Sequence, residues 1–431
     1  MKEPILSIIP AKQCFFQQAT DHLAQILRGD IIKPKLTLSH QIQRIALPGG
    51  YEVLYSRQVE QLRPFYGFLN DIDNLFLQPT YLQLLEDFPP KGMEFGYLLF
   101  QQHGKTVGIA TCQLLNFNLK ETLFSEEKAK TGFWTSIKNS LGKRFNFQLM
   151  VCGTTTVTGQ HSFHFHAQVP EAQIPKLIID ALTQVVENIE TKVDTLMVKD
   201  LGPETLQWNK TWEDHSFCQV TFQPNMIFKV DPSWSTFNDY LGAMTSKYRV
   251  RAKRARKKAK DLKKRSLDLS EIQLMEEKIH RLYLEIVKKA DFNMMTLNPG
   301  YLPALKARLG ENFILTGYFS GEEMLGFCTT LRNGEDLEAH FLGVDQDANH
   351  EYQLYLNMLY DMTEQGIQMG GVKRIIFGRT APEIKSSIGA AAEQVFCYFR
   401  HRSTFINRFI PKLISYFEPK VEWTPRHPFG H

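Results

Sequence analysis

The chain has no run of about 18 apolar residues, so no membrane-spanning helix is expected. Its first residues, MKEPILSIIPAKQCFF, turn polar before an apolar core of signal-peptide length has formed, so a secretory signal is not expected either. The six cysteines are Cys14, Cys112, Cys152, Cys218, Cys328 and Cys397, and no two are close in sequence. This spacing excludes a Cys-x-x-Cys metal or redox motif. Five of the six sit in apolar, strand-like runs, which suits buried free thiols in a reducing compartment and points to a cytoplasmic protein. Metal-ligand sets are scarce too. His161, His164 and His166 form the nearest thing to one, but they alternate with Phe163 and Phe165 as a half-exposed strand would, and no carboxylate stands beside them. No metal is expected.

What is present is an ordinary globular composition, 43% hydrophobic and 22% charged, in 431 residues, enough for two domains. Positive charge is concentrated in one place. Between Lys247 and Arg265, 12 of 19 residues are Lys or Arg and only Asp261 is acidic, which leaves 38 basic and 45 acidic residues elsewhere. The stretch has a helical period. Leu241, Met244, Tyr248, Ala252, Ala255, Ala259 and Leu262 fall on one face, Ser235 or Thr236 can cap its start, and no Gly or Pro interrupts it from Ala243 to Arg265. A long basic helix over 235–265 is therefore expected. Three readings fit it: a solvated charged face, a nuclear-localisation signal, or a cationic rail for the phosphates of a nucleotide cofactor, a tRNA or an anionic membrane.

On either side of this stretch the same order of elements recurs. A short antiparallel pair, HQIQRIAL and YEVLYS around Pro48-Gly49-Gly50, precedes it. EFGYLLFQQ and KTVGIATCQLLNF flank a turn at His103-Gly104; FILTGYFS and MLGFCTTLRN flank Gly321-Glu322. FNFQLMVCG then parallels LEAHFLGVD as a long strand, and IPKLIIDALTQVVENIE parallels EYQLYLNMLYDMTEQG as a helix. KVDTLMVKDLGPETLQ parallels GVKRIIFGRTAPEIKSSIG, and HSFCQVTF parallels QVFCYFRH as a last strand. This reads as an internal duplication, with a first domain over 1–231 and a second over 232–431. Each would be a mixed sheet, since a strand–helix–strand step is a right-handed parallel crossover. The first copy carries an insertion near 116–144, in which Phe133, Trp134, Ile137, Leu141 and Phe145 share a helical face. A C-terminal stripe of Phe405, Phe409, Leu413 and Phe417 stands beside Arg402, Arg408 and Lys412. Both suit packing on the chain's own domains, and both keep peripheral membrane contact open.

This duplicated order resembles the Gcn5-related N-acetyltransferase (GNAT) fold. The charged helical segment at the head of the second copy resembles the FemAB-type branch of acyl and aminoacyl transferases. The residues that carry the likeness are Ser246 to Arg251, Lys385 in PEIKSSIG, and the hairpins Gly104 to Thr111 and Gly321 to Thr329. The resemblance implies an α/β (α+β) fold of two tandem GNAT-like domains, each a mainly antiparallel mixed sheet flanked by helices. It implies transfer of an acetyl, acyl or aminoacyl group to an amine, on a small molecule or a cell-envelope precursor. The donor would be an acyl-CoA or an aminoacyl-tRNA. One departure bears on that choice. The loop before the second-copy helix, Val344 to His350, has no glycine and two acids, where GNAT enzymes usually place a glycine-rich pyrophosphate cradle; its first-copy counterpart, Gly153 to Gly159, is rich in Gly and Thr.

Transfer to an amine needs a base and a group that polarises the carbonyl. Glu338 and His340 lie two apart on one strand and so share a face, which makes them the candidate base pair. Tyr352 and Tyr355 on the next helix are candidates to protonate a leaving group. Lys385 and Arg379, after a buried-looking strand, are candidate anion contacts on cofactor or substrate. Lys247, Arg249 and Arg251 at the head of the basic helix are candidates of the same kind, and Lys199-Asp200 occupies the equivalent first-copy turn. A non-catalytic nucleic-acid- or membrane-binding protein, and an inactive transferase homologue, are the alternatives.

Overall fold

In the computed structural model the described residues are 41–118, 146–289, 294–410 and 423–430. The insertion helix expected around Phe133 to Phe145, Cys14, and the Leu413 and Phe417 part of the C-terminal stripe lie outside them.

Alternating apolar residues and glycine-bearing turns build the first sheet. β1 (Gln43–Leu47) and β2 (Tyr51–Ser56) pair around Pro48–Gly50, and α1 (Pro79–Asp87) follows. β3 (Met93–Gln102) and β4 (Lys105–Asn118) turn at His103 and Gly104, both at positive φ. β5 (Asn146–Cys152) pairs antiparallel with β4, and the short β6 (Phe163–Phe165) also pairs with β4. α2 (Ile174–Asn188) then crosses over to β7 (Thr195–Leu201), which runs parallel to β5. β8 (Cys218–Thr221) ends this half.

The second sheet starts with β9 (Asn225–Lys229). α3 (Phe237–Ala243) and α4 (Ser246–Lys258) lead to β10 (Lys263–Ser266). α5 (Glu276–Lys289) and α6 (Tyr301–Leu309) precede the hairpin of β11 (Phe313–Ser320) and β12 (Glu323–Asn333). β13 (Asp336–Val344), α7 (Gln346–Tyr352), α8 (Leu354–Gln368) and β14 (Arg374–Ile376) form the parallel crossover. α9 (Pro382–Ser386), β15 (Ala391–Glu393) and β16 (Phe396–His401) follow.

Two sequence expectations change here. First, the basic segment is not one helix. Thr236 caps α3 with a reciprocal box through Asp239, α3 gives way at the extended Met244 and Thr245, and Lys263–Ser266 pair with β11 as an edge strand. The expected face is real: Leu241, Met244, Ala252 and Ala255 are buried. Lysines suit an exposed strand edge, where their charge discourages further pairing. Second, the last strands do not stay with their own halves. The first sheet runs β1-β2-β3-β4-β5-β7-β16-β8 and the second β10-β11-β12-β13-β14-β9-β15. Thus β16 sits between β7 and β8, while β9 sits between β14 and β15. Sheet membership therefore does not follow a division at 231/232.

Three apolar layers hold this arrangement. α2 covers one face of the first sheet, through Ile178, Leu182 and Val185. α3, α4 and α8 cover one face of the second. Between the sheets a shared core joins Tyr81, Leu99 and Val151 to Leu282, Tyr301 and Phe327. The repeated glycine of the two hairpins has one physical reason in both. A Cβ on Gly108 would overlap the Phe165 ring, and one on Gly326 would come within 2.8 Å of Met358 and 3.0 Å of the Gly343 carbonyl. No helix among the described residues is long and apolar enough to cross a membrane.

Candidate active site

The central irregularity of the second sheet is in β13. Cys328 pairs with Leu342 and Thr330 with Ala339, so His340 and Phe341 together face the single Thr329. This is a β-bulge, which re-aims side chains locally. The Thr329 hydroxyl satisfies it, donating to the Phe341 carbonyl at 2.7 Å and accepting from the Phe341 N–H at 2.9 Å. Leu337, Ala339, Leu342 and Val344 pack toward α8. His340 and Phe341 both turn toward the first sheet, their ring centroids 4.4 Å apart. Pairing with β14 ends at Glu338–Ile376, so β13 runs on beyond it without that neighbour. The equivalent β4–β5 ladder of the first copy runs from Cys112–Cys152 to Asn118–Asn146 without a break.

Glu338 is 3% exposed. Burial pushes its carboxyl up to about 8, with the nearby Asp336 charge adding to the effect and Asn333 and Arg374 opposing it. His161, from the first half, stands across from it, Nε2 to Oε1 3.8 Å. Asn74 Oδ1 accepts from the Phe76 N–H at 3.2 Å, so the Asn74 oxygen is the atom facing His161 Nδ1, also at 3.2 Å. His161 therefore carries its proton on Nδ1 and turns a lone pair toward Glu338. Burial, then the charges of Lys199 and Arg374, lower the His161 pKa to about 3, so the ring is neutral. The pair is a neutral imidazole beside a carboxyl that titrates near the working range of an amine-transfer base.

His340 begins a second buried series. Its Nε2 is 2.9 Å from the Tyr301 hydroxyl; Tyr301 is 3.1 Å from Tyr81, Tyr81 2.7 Å from Thr156, and Thr156 2.7 Å from Thr154. Gln113 closes it, Nε2 to Thr154 Oγ1 at 3.2 Å. The series passes from the second sheet to the first. Burial lowers the His340 pKa to about 3.

The other expected site residues divide. Lys247 and Arg251 meet Tyr248, Glu383, Ile384 and Arg426 around a pocket of about 440 Å³. Arg249 is not in that set; its Nη2 donates to the Met244 carbonyl at 2.8 Å and holds the break between α3 and α4. Lys385 is buried and donates to the Phe377 and Gly378 carbonyls at 2.5 and 3.2 Å, which fixes the turn after β14; burial lowers its pKa to about 7. Arg379 is tied down within the fold. It is paired with Asp200, which is also paired with Lys199, so the two turns matched in sequence meet as one buried ion cluster. Tyr352 is half-buried on α7, on the α8 side of the second sheet, and Tyr355 packs in the same layer. The structure thus brings Glu338 and His340 to one face and places Tyr352 on the other. His161, Tyr81, Tyr301 and Gln113 were not singled out for this role from sequence. Buried tyrosines read as core, and the one available hint was the Gly- and Thr-rich loop that carries Thr154 and Thr156.

Both loops that could cradle a pyrophosphate spend N–H groups on the chain's own acceptors. In the first copy, the Gly153, Thr155, Thr156 and Gly159 N–H groups donate to the Thr111 carbonyl, Gln113, Thr154 and Asp200. In the second, Asp345 caps α7 by accepting from the Ala348 N–H at 3.0 Å, which sets a carboxylate where a phosphate would sit.

No family model and no curated protein matches the chain. Solved structures do. The chain is similar to FemX, with a TM-score of 0.51 at 10% identity over 86% of this chain and 100% of that one. It is also similar to a tandem GNAT protein from the clavulanic acid biosynthesis pathway (0.48, 9% identity, 82% and 99%) and to L-PGS from Bacillus licheniformis (0.42, 11%, 78% and 96%). The fold is that of FemAB-like tandem GNAT proteins.

Proposed function

We propose that the chain is an N-acyltransferase that moves an acyl or aminoacyl group to an amine, with Glu338 as the base. The observation that carries this reading is the bulged β13, which aims His340 at the junction beside a buried carboxyl held near neutral pKa. In the reaction the amine nitrogen attacks the donor carbonyl carbon. A C–N bond forms, and the C–S or C–O bond to the donor breaks. Glu338 accepts the proton that the amine loses, and that proton passes on to the leaving thiolate or ribose oxygen, which returns Glu338 to its starting state.

The donor reading follows from where phosphates can sit. The internally capped loops weigh against coenzyme A. On α4, Arg256 is tied to Asp361 and Glu364, while Lys253, Arg254, Lys257 and Lys258 remain exposed. A row of free cations on a fixed helix suits a polyanion, and so favours an aminoacyl-tRNA donor. The same face would serve a non-catalytic nucleic-acid binder, so the test must separate the two. The purified chain is given charged tRNA or acyl-CoA with a panel of amines, and amide products are read by mass. We expect product from charged tRNA, a loss of about 100-fold or more in Glu338→Gln, and unchanged tRNA binding in that variant. Replacing Lys253, Arg254, Lys257 and Lys258 by Gln should weaken tRNA binding and flatten its salt slope. Tight tRNA binding with no product from any donor would leave the binder reading standing and remove the enzyme.

A further inference from the structure

His340 can serve acyl transfer in two ways. With the proton on Nε2, its Nδ1 lone pair is free and the ring is a base. With the proton on Nδ1, the ring is a hydrogen-bond donor. The buried series behind it decides between these by counting hydrogens.

The count starts at Gln113. Its Oε1 accepts from the Thr155 backbone N–H and hydroxyl, both at 2.8 Å. A backbone N–H can only donate, so the amide orientation is settled and the Gln113 NH2 faces Thr154. Thr154 Oγ1 accepts from this NH2 at 3.2 Å and from the Thr156 N–H at 3.3 Å. Both of its lone pairs are then used, and its own hydrogen goes to Thr156 Oγ1 at 2.7 Å. Thr156 passes its hydrogen to Tyr81, Tyr81 to Tyr301, and Tyr301 to His340 Nε2. The reverse direction would cost the Thr156 hydroxyl hydrogen its 2.7 Å bond to Tyr81 and leave it only the Tyr301 oxygen, in a site where Thr156 is 5% and Tyr81 0% exposed.

We infer that this one-way series from Gln113 holds His340 as the Nδ1–H tautomer, and that its Nδ1–H donates a hydrogen bond to the carbonyl oxygen of the group being transferred. His340 Nδ1 is buried and has no hydrogen-bond partner among the described residues. A donor left unpaired in a buried site is costly, and a ligand oxygen supplies the missing acceptor. As the amine attacks, negative charge grows on that oxygen and the bond strengthens; no proton leaves the ring. Burial keeps the ring neutral, which preserves a single, directed N–H. Glu338 then stands alone as the base, and Gln113, Thr154, Thr156 and Tyr81 of the first copy are positioning residues for a histidine of the second. The carbonyl assignment rests on the transferase reading above; the tautomer does not.

Two-bond 1H–15N spectra of the full-length chain, with His340 assigned by its loss in His340→Gln, read the tautomer directly. The expected result is Nδ1–H in the wild type near neutral pH. In Gln113→Glu the end group can only accept, so every hydroxyl reverses and His340 becomes Nε2–H. Tyr301→Phe cuts the series and gives a mixture. Thermal midpoints confirm that each variant is folded. In the transfer assay, Gln113→Glu should lower kcat about 100-fold with KM little changed, the loss of one charge-stabilising donor. An Nε2–H or charged His340 in the wild type, or an unchanged tautomer in folded Gln113→Glu, overturns the series. A flipped tautomer with wild-type kcat overturns the donor role. No turnover by the wild type removes the transferase reading with the carbonyl role, while the spectra still decide the tautomer.

Discussion

Replacing Glu338 by Gln should make the protein more stable relative to wild type as pH rises, and the size follows from the burial of the carboxyl. Its ordinary pKa of 4.5 is pushed up to about 8, first by desolvation and then by Asp336. Between those values the native state keeps a proton that the unfolded chain has released. Wild-type stability therefore falls with pH through this window and is flat outside it for this group. At about 1.4 kcal/mol per pH unit the loss is bounded at about 5 kcal/mol. Gln cannot ionise, so the variant lacks this slope. His161 and His340 titrate near 3 in the native state and are common to both proteins, so they cancel in the difference. Urea unfolding at about pH 5, about pH 7 and about pH 9 gives stability for each protein. The variant-minus-wild-type difference should grow by several kcal/mol from the lowest to the highest pH. The transfer rate of the wild type should rise with pH through about 8 as the carboxyl ionises, then level off. A stability difference that is flat, or that shrinks with pH, would show that Glu338 is ionised in the native state and would refute the argument.

Thr329→Val removes the hydroxyl that serves both the N–H and the carbonyl of Phe341; it should cost about 2–4 kcal/mol in urea unfolding and depress transfer more than His340-independent tRNA binding. Asp361→Ala leaves the buried Tyr318 hydroxyl without its acceptor, while the partly exposed Arg256 and Lys264 keep Glu364; a loss of about 1–3 kcal/mol is expected, with faster hydrogen exchange confined first to α4 and β10. Separately expressed 42–231 and 232–431 should each fail to show a cooperative thermal transition, and co-expression should restore one, because each fragment lacks an interior strand of its sheet.

Local structure was largely legible in the residues. The two long hairpins follow from apolar alternation around His103-Gly104 and Gly321, whose positive φ marks the turns. Strand partners were less so. HSFCQVTF and QVFCYFRH share a pattern, and both are strands, but they lie side by side in the first sheet, Cys397 opposite Val220. Alternation says that a segment is a strand and which face is buried; it carries nothing about which sheet a distant strand enters. The basic segment shows the same limit. Its apolar face was readable, but the lysines of Lys263–Ser266 suit an exposed helix and an edge strand equally. At the candidate site, the shared face of Glu338 and His340 was legible because two-residue spacing is a local property. The bulge that aims them depends on the Thr329 side chain from the neighbouring strand, and the partners His161, Tyr81 and Gln113 come from the other sheet.

These non-local features answer one question together. A second copy that carries the bulge, the carboxyl and the histidine could in principle discard the first. Three observations bind them instead. β16 and β9 exchange sheets, so each fold completes the other. Arg379 and Lys199 share Asp200 in a buried cluster, where removing one partner would strand a charge. The hydrogen bonds inferred to set the His340 tautomer begin at Gln113, on a first-copy strand, and run through a first-copy loop whose Gly153, Thr155, Thr156 and Gly159 N–H groups donate to the Thr111 carbonyl, Gln113, Thr154 and Asp200. If Glu338 and His340 form the site proposed above, the first copy supplies the residues that hold it, through the series from Gln113 by Tyr81 to Tyr301 and His340.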